Sequence, residues 1–211
     1  MPPSSVPVPF AIDVPEPLLA DLRERLRLAR WPGEIPGSGW EYGTNLAYLR
    51  ELVDYWLTAY DWRFHERELN RFRHYRAIVD GVGLHLIHER GAGPKPLPLL
   101  SIHGWPSSVY EFASVIPRLT DPARFGGDAG DAFDVIAPSL PGYGFSDPPR
   151  ERGVGIQRMA DLFARLMELL GYPAWTDCDG EVERRLSKDQ MLTLITIYWV
   201  TQTINSSMRL Y

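Results

Sequence analysis

The chain has 211 residues, of which 45% are hydrophobic and 23% charged, with a formal net charge of −5. That length supports one domain with a sizeable core, the composition excludes a wholly disordered chain, and the acidic balance argues against nucleic acid or an anionic membrane as a partner. One cysteine, Cys178, excludes an internal disulfide framework and any Cys-cluster metal site, and no run of eighteen apolar residues exists to cross a membrane. The start, MPPSSVPVPFAIDVPEP, lacks the basic and apolar regions of a secretory signal, so the expectation is a soluble, cytoplasmic protein.

Residues 1–15 are proline-rich and aperiodic and predict an extended arm. A helix follows, with Pro17 in its first turn and Leu18, Leu19, Leu22, Leu26 and Ala29 on one face; Trp31-Pro32-Gly33 ends it. A Gly/Pro/Ser loop leads to a second amphipathic stretch over 44–58, with Leu46, Leu49, Leu52, Val53 and Trp56 inward, and 63–71 reads as a short third helix. The period then changes. Phe72–Val79 and Leu84–Glu89 predict strands joined by a tight hairpin at Asp80-Gly81-Val82-Gly83. Leu97–Ile102 and Phe133–Ala137 are continuous apolar runs, separated from one another and from the next segment by helical stretches at Val109–Leu119 and Gln157–Leu170. That alternation predicts a parallel sheet covered on both faces. After Gly171-Tyr172-Pro173 the chain turns highly charged, and residues 188–204 predict a Thr-, Ile- and Leu-rich helix. No apolar run follows Leu170, so no strand is expected there.

Two loops invite chemistry. His103-Gly104-Trp105-Pro106 directly follows a strand, where a sharp turn can aim backbone N–H groups into a cleft and supply an oxyanion-hole donor; the plain alternative is ordinary Gly/Pro punctuation. Pro141–Pro149 follows the next strand with two glycines and three prolines, a compact loop at the carboxyl end of the sheet. Ser146 and Asp147 within it suggest a nucleophile, yet the serine lies on no Gly-x-Ser-x-Gly elbow and has no histidine beside it. His85 and His88 alternate along a strand, while His65 and His74 lie in Arg-rich surroundings. All four read as surface or edge histidines, and the arginines of the first helix as helix charge patterning.

Leu97–Pro106 together with Pro138–Pro149 resembles the epoxide hydrolase branch of the α/β-hydrolases. The segments LRERLRLARWP, GWEYGTNLAYLRELVDYW and YDWRFHERELNRFRHYRAIVDGVGLHLIHER resemble the helical amino-terminal segment of microsomal-type epoxide hydrolases, and WTDCDGEVERRLSKDQMLTLITIYWVTQTINSSMRLY is similar to their lid. The resemblance implies an incomplete α/β-hydrolase fold: a helical amino-terminal segment over 1–71, the first part of the core over 72–173 and a lid fragment over 174–211.

The chemistry implied by the resemblance is cofactor-free, metal-free hydrolysis of a small apolar epoxide to a vicinal diol. An aspartate attacks a ring carbon to form an ester, lid tyrosines hydrogen-bond the epoxide oxygen, and a histidine oriented by an acid activates water. Carried over, Trp105 would act through its backbone N–H as an oxyanion donor, His103 would shape that loop, and Tyr211 of the SSMRLY stretch would donate to the epoxide oxygen. A frayed terminal aromatic is the plain alternative for Tyr211, and Tyr198 and Trp199 read as lid packing. The family's nucleophile strand with its Gly-Gly-Asp-Trp-Gly elbow has no match here, and no histidine follows His103. Asp177 and Asp179 lie in the charged segment without an apolar strand or Gly-rich turn, so neither is favoured as a replacement nucleophile. The expected result is an epoxide hydrolase by family that is inactive alone; a ligand- or partner-binding remnant and an esterase using Ser146 are the alternatives. Without the nucleophile strand, Leu97–Ile102 is expected at the edge of a sheet of about four strands. The expected consequences are a loosely placed carboxyl-terminal helix and self-association unless that helix folds over the edge.

Overall fold

The computed structural model describes residues 5–179 and 187–208. Strand β1 (Val8–Phe10) precedes helices α1 (Glu16–Arg27), α2 (Leu46–Thr58) and α3 (Trp62–Leu69). Strands β2 (His74–Val79), β3 (Val82–Glu89), β4 (Leu97–Ile102) and β5 (Phe133–Pro138) follow, with the short helix α4 (Ile116–Thr120) between the last two. Helix α5 (Ile156–Leu169), strand β6 (Thr176–Asp179) and helices α6 (Lys188–Thr201) and α7 (Ile204–Met208) complete the order.

The sheet runs β1-β2-β3-β5-β4-β6. It is mixed: β1, β2, β3 and β5 pair antiparallel in turn, whereas β4 lies parallel to both β5 and β6. The proline-rich arm therefore ends in an edge strand, since β1 pairs Val8 with Arg76 and Phe10 with His74. The hairpin loop is shorter than the sequence suggests. Val82 and Gly83 belong to β3, and Asp80 and Gly81 alone make the turn, both at positive φ as a two-residue loop requires. The stretch 109–119 is not one helix: a 3₁₀ turn at Val109–Phe112 is followed by α4, whose Pro117 can only occupy a first turn.

Both faces of the sheet are covered. On one, Leu84, Leu86, Leu100 and Ile136 pack against Met159, Leu162, Phe163, Leu166 and Met167 of α5. On the other, Ile87, Leu99, Val135 and Ala137 meet Val109, Phe112 and Ile116. Each fully buried aliphatic side chain there contributes roughly 1.5–3 kcal/mol.

Two expectations about the carboxyl-terminal part need correction. A strand does follow α5: β6 lies parallel to β4 with Leu99 opposite Thr176 and Ile102 opposite Asp179, so β4 is interior in a six-stranded sheet and not an exposed edge. Sequence pattern missed it because Thr176-Asp177-Cys178-Asp179 has no apolar run, while the pairing is made by backbone groups that every residue carries. The edge of the described sheet is β6 instead. Nor is α6 loosely placed. Ser187 and Gln190 form a capping box at its start, and Ile197 enters a core shared with Ile12, Val14, Leu19, Trp62 and Leu69. Tyr55 donates to Asp189 at 2.5 Å, and the hydroxyls of Tyr60 and Thr193 lie 2.9 Å apart, so the amino-terminal helices are the bed on which α6 rests. Among the described residues no helix is long and apolar enough to cross a membrane.

Candidate active site

Strand β4 delivers His103 to the carboxyl end of the sheet, and the chain turns at once. The Ser107 N–H donates to the Gly104 carbonyl at 3.1 Å, the Trp105–Pro106 peptide is cis, and Ser108 caps the 3₁₀ turn by accepting from the Tyr110 N–H. Ser107 donates its hydroxyl to Glu111, closing the loop from within. Trp105 sits at the tip, 44% exposed, so its indole is not part of the core.

The neighbouring loop after β5 is folded on itself. The Gly142 N–H donates to the Asp147 carbonyl at 2.9 Å, Tyr143 N–H to Leu140, and Ser146 N–H to Tyr143. Gly142 and Gly144 hold φ of 81° and 47°, the left-handed region where a Cβ is strained. Arg76 braces the loop from β2 by donating to the Phe145 carbonyl at 3.1 Å and to Asp147 at 2.6 Å.

His103 joins the two loops. It is buried, its Nε2 accepts the Leu140 N–H at 3.2 Å, and its Nδ1 lies 3.1 Å from the Gly104 carbonyl. Only a neutral ring with the proton on Nδ1 satisfies both contacts. Burial pushes its pKa down to about 4, against a weaker upward pull from the Gly104 carbonyl. His103 is thus a loop-holding residue in geometry as well as in sequence expectation.

Helices α6 and α7 close over these loops. Tyr198 of α6 is buried and donates its hydroxyl to the Ser107 carbonyl at 2.8 Å; Tyr143 donates to Ser207 of α7 at 3.1 Å, and Ser206 to Gly142 at 2.6 Å. His103, Tyr143 and Tyr198 form a chain of ring contacts, with centroids 5.3 and 6.4 Å apart. Tyr198 therefore does more than pack. Tyr211 lies outside the described residues. The side chains of Asp177 and Asp179 are not described; their backbone places Asp179 beside Ile102, one residue before the His103 loop. A cleft of about 520 Å³ opens on the flank of this arrangement, between Phe10, Arg76, the 144–148 loop and the turn joining α6 to α7.

Ser146 is fully engaged. Its Oγ accepts the His85 N–H at 2.9 Å and donates to the Ser139 carbonyl at 2.8 Å, which suits a loop tie and not a nucleophile. The expectation of surface or edge histidines fails for His65, His74 and His85, all buried. For His85 the apolar neighbours in LHLIH carried the signal: a strand with both faces covered buries residues of both alternating sets, as β3 does over Gly83–Ile87. Among the described residues no group of three or more His, Cys, Asp or Glu side chains gathers as a metal site.

Comparison with known proteins identifies the family and the fold. Residues 7–112 match the model of the epoxide hydrolase N terminus, and residues 98–178 that of the alpha/beta hydrolase fold. The chain is 50% identical over 173 residues to a candidate epoxide hydrolase of Stigmatella aurantiaca, a match covering 82% of this chain and 39% of that protein. It is 36% identical over 168 residues to epoxide hydrolase 1 of Sus scrofa, covering 78% and 37%. The chain thus spans about two-fifths of the length of the curated relatives it matches. Among solved structures, the juvenile hormone epoxide hydrolase of the silkworm Bombyx mori superposes with a TM-score of 0.88 at 26% identity, over 99% of this chain and 76% of that one. The Aspergillus niger epoxide hydrolase, at 19% identity and TM-score 0.84 over 95% and 77%, shares the fold.

Proposed function

The chain belongs to the epoxide hydrolase family, with a partial α/β-hydrolase fold, and from that premise we propose that it carries the oxyanion and lid elements of an enzyme that opens small apolar epoxides to vicinal diols. The observation that carries this reading is the His103–Ser107 loop at the end of β4, held by His103 from below and by Tyr198 from the lid. In such chemistry a carboxylate attacks a ring carbon, the ring C–O bond breaks, and the resulting ester is cleaved by activated water. The Trp105 backbone N–H stabilises the oxyanion of the second step, and Tyr211 donates to the epoxide oxygen in the first. His103 cannot serve as the base, because both of its nitrogens are committed to the loops.

Within these 211 residues no histidine follows His103 and no Gly-Gly-Asp-Trp-Gly elbow occurs. We therefore propose that this chain alone does not turn an epoxide over, since loss of a triad member costs orders of magnitude in rate. Purified protein incubated with styrene oxide should give no diol above the protein-free blank. Turnover abolished by Asp177→Asn or Asp179→Asn would overturn the inactivity and make a β6 aspartate the nucleophile. Ester cleavage lost in Ser146→Ala would replace the reading with an esterase.

A further inference from the structure

Among the most enclosed polar groups of the molecule are His85 and Ser139, which no step above uses. The rings of His74 and His85 stack with centroids 5.2 Å apart and 20° between planes, and His85 also meets Phe10 and Phe145 edge-on, each at 5.3 Å. His74 Nε2 lies 2.8 Å from the Leu69 carbonyl at the end of α3, His74 Nδ1 lies 2.9 Å from His85 Nε2, and His85 Nδ1 lies 2.8 Å from Ser139 Oγ.

The chemistry of the two ends fixes every proton between them. A carbonyl only accepts, so His74 carries its hydrogen on Nε2 and its Nδ1 is bare. His85 must then donate from Nε2, and its bare Nδ1 takes the Ser139 hydroxyl proton. From the other side, the Leu140 amide only donates, so His103 Nε2 is bare and Nδ1–H faces the Gly104 carbonyl. Ser139 and Leu140 are adjacent in the chain. The bonds therefore run from the carboxyl end of α3, through β2 and β3, to the residue preceding Trp105. Ser146 doubles the middle of this path by bonding both the His85 N–H and the Ser139 carbonyl. Burial holds His74, His85 and His103 all below the ordinary imidazole pKa, which keeps one hydrogen per ring.

We propose that His74, His85 and Ser139 are positioning residues: a proton-ordered strut through which the amino-terminal helices fix the loop after β5, and with it the His103–Ser107 loop. Buried imidazoles are costly to dehydrate, and an apolar pair of equal volume would fill the space. What an apolar pair could not do is set a direction of donation, which runs from Ser139 through His85 and His74 to the Leu69 carbonyl at the end of α3. The proposal rests on reading 103–107 as the oxyanion loop. Its test reads nitrogen protonation and amide protection in place of turnover, so the two can fail separately.

Long-range ¹⁵N spectra of the imidazoles in the full chain at pH 7 should show Nε2–H on His74 and His85 and Nδ1–H on His103. Ser139→Ala, which removes the hydroxyl and little volume, should shift the His103 nitrogens and raise Leu140 amide exchange about tenfold, leaving Leu162 of α5 unchanged. His74→Phe keeps a ring, removes both nitrogens at the far end, and should move the same His103 signals. A hydrogen on Nδ1 of His74 or His85 in the wild type overturns the strut. So do unchanged His103 signals in whichever variant folds; should neither fold, the wild-type proton pattern alone decides.

Discussion

The loop after β4 and the strand after α5 lie side by side at the carboxyl end of the sheet, yet they are held in different ways. Residues 103–107 are fixed from four directions: the Leu140 N–H on the His103 ring, Glu111 on Ser107, Tyr198 on the Ser107 carbonyl, and Tyr143 against the His103 ring. Strand β6 is defined by its ladder to β4, Thr176 opposite Leu99 through Asp179 opposite Ile102. The first region is built from particular residues, so substituting one has a local and readable effect. The second is built from backbone, so its sequence carries little sign of it. A site loop must be specified; a ladder accepts almost any extended segment.

The largest test of that contrast concerns α6. Leu162→Ala in α5 and Ile197→Ala in α6 each remove a fully buried side chain and should each cost about 2–5 kcal/mol in denaturant unfolding. Equal penalties in one cooperative transition mean that α6 is part of the folded unit. A cost below about 0.5 kcal/mol for Ile197→Ala, the range of ordinary surface changes, would return α6 to the loosely placed helix expected from sequence.

Next comes acid. The pKa of His103 is depressed from 6.5 to about 4, so between those values the unfolded chain binds the proton and the native chain does not. Stability is fully present above pH 6.5 and falls as pH drops toward 4, by up to about 1.4 kcal/mol per pH unit from this ring. His74, His85 and His88 are lowered in the same direction. Thermal melts that stay flat between pH 6.5 and 4 would deny that these rings are held neutral.

A smaller effect is expected where α6 meets the loop after β4. Tyr198→Phe removes the hydroxyl that reaches the Ser107 carbonyl and should cost about 0.5–1.5 kcal/mol, with faster exchange of the Ser107 amide. Unchanged exchange there would separate α6 from the loop. The smallest effect concerns association. With β4 paired on both sides, we propose that self-association runs through the outer edge of β6, four residues long and correspondingly weak. Light scattering that shows a monomer at every accessible concentration removes it; exposed amides over 99–102 would instead restore the open β4 edge.

Sequence by itself determined much of this molecule. Periodicity located α1, α2, α3 and α5, apolar runs located β4 and the body of β5, and Asp80-Gly81 announced the hairpin. These elements announce themselves because their side chains must face one core, and a core selects apolar residues at a fixed period. The His103–Pro106 loop was legible for a related reason, since Gly and Pro in a sharp turn leave few other arrangements. What only the tertiary structure decided are features made by groups that every residue shares, or by partners far apart in sequence. The polar strand β6 is recruited by the unpaired backbone of β4. Helix α6 is seated by Tyr55 and Tyr60, more than 130 positions away. The burial of His74 and His85 depends on Leu69, Ser139 and Phe145 closing around the two rings, and for His85 the partners Ser139 and Phe145 lie more than fifty positions away. A residue's own periodicity reports which way it faces; what it meets there is set by the rest of the fold.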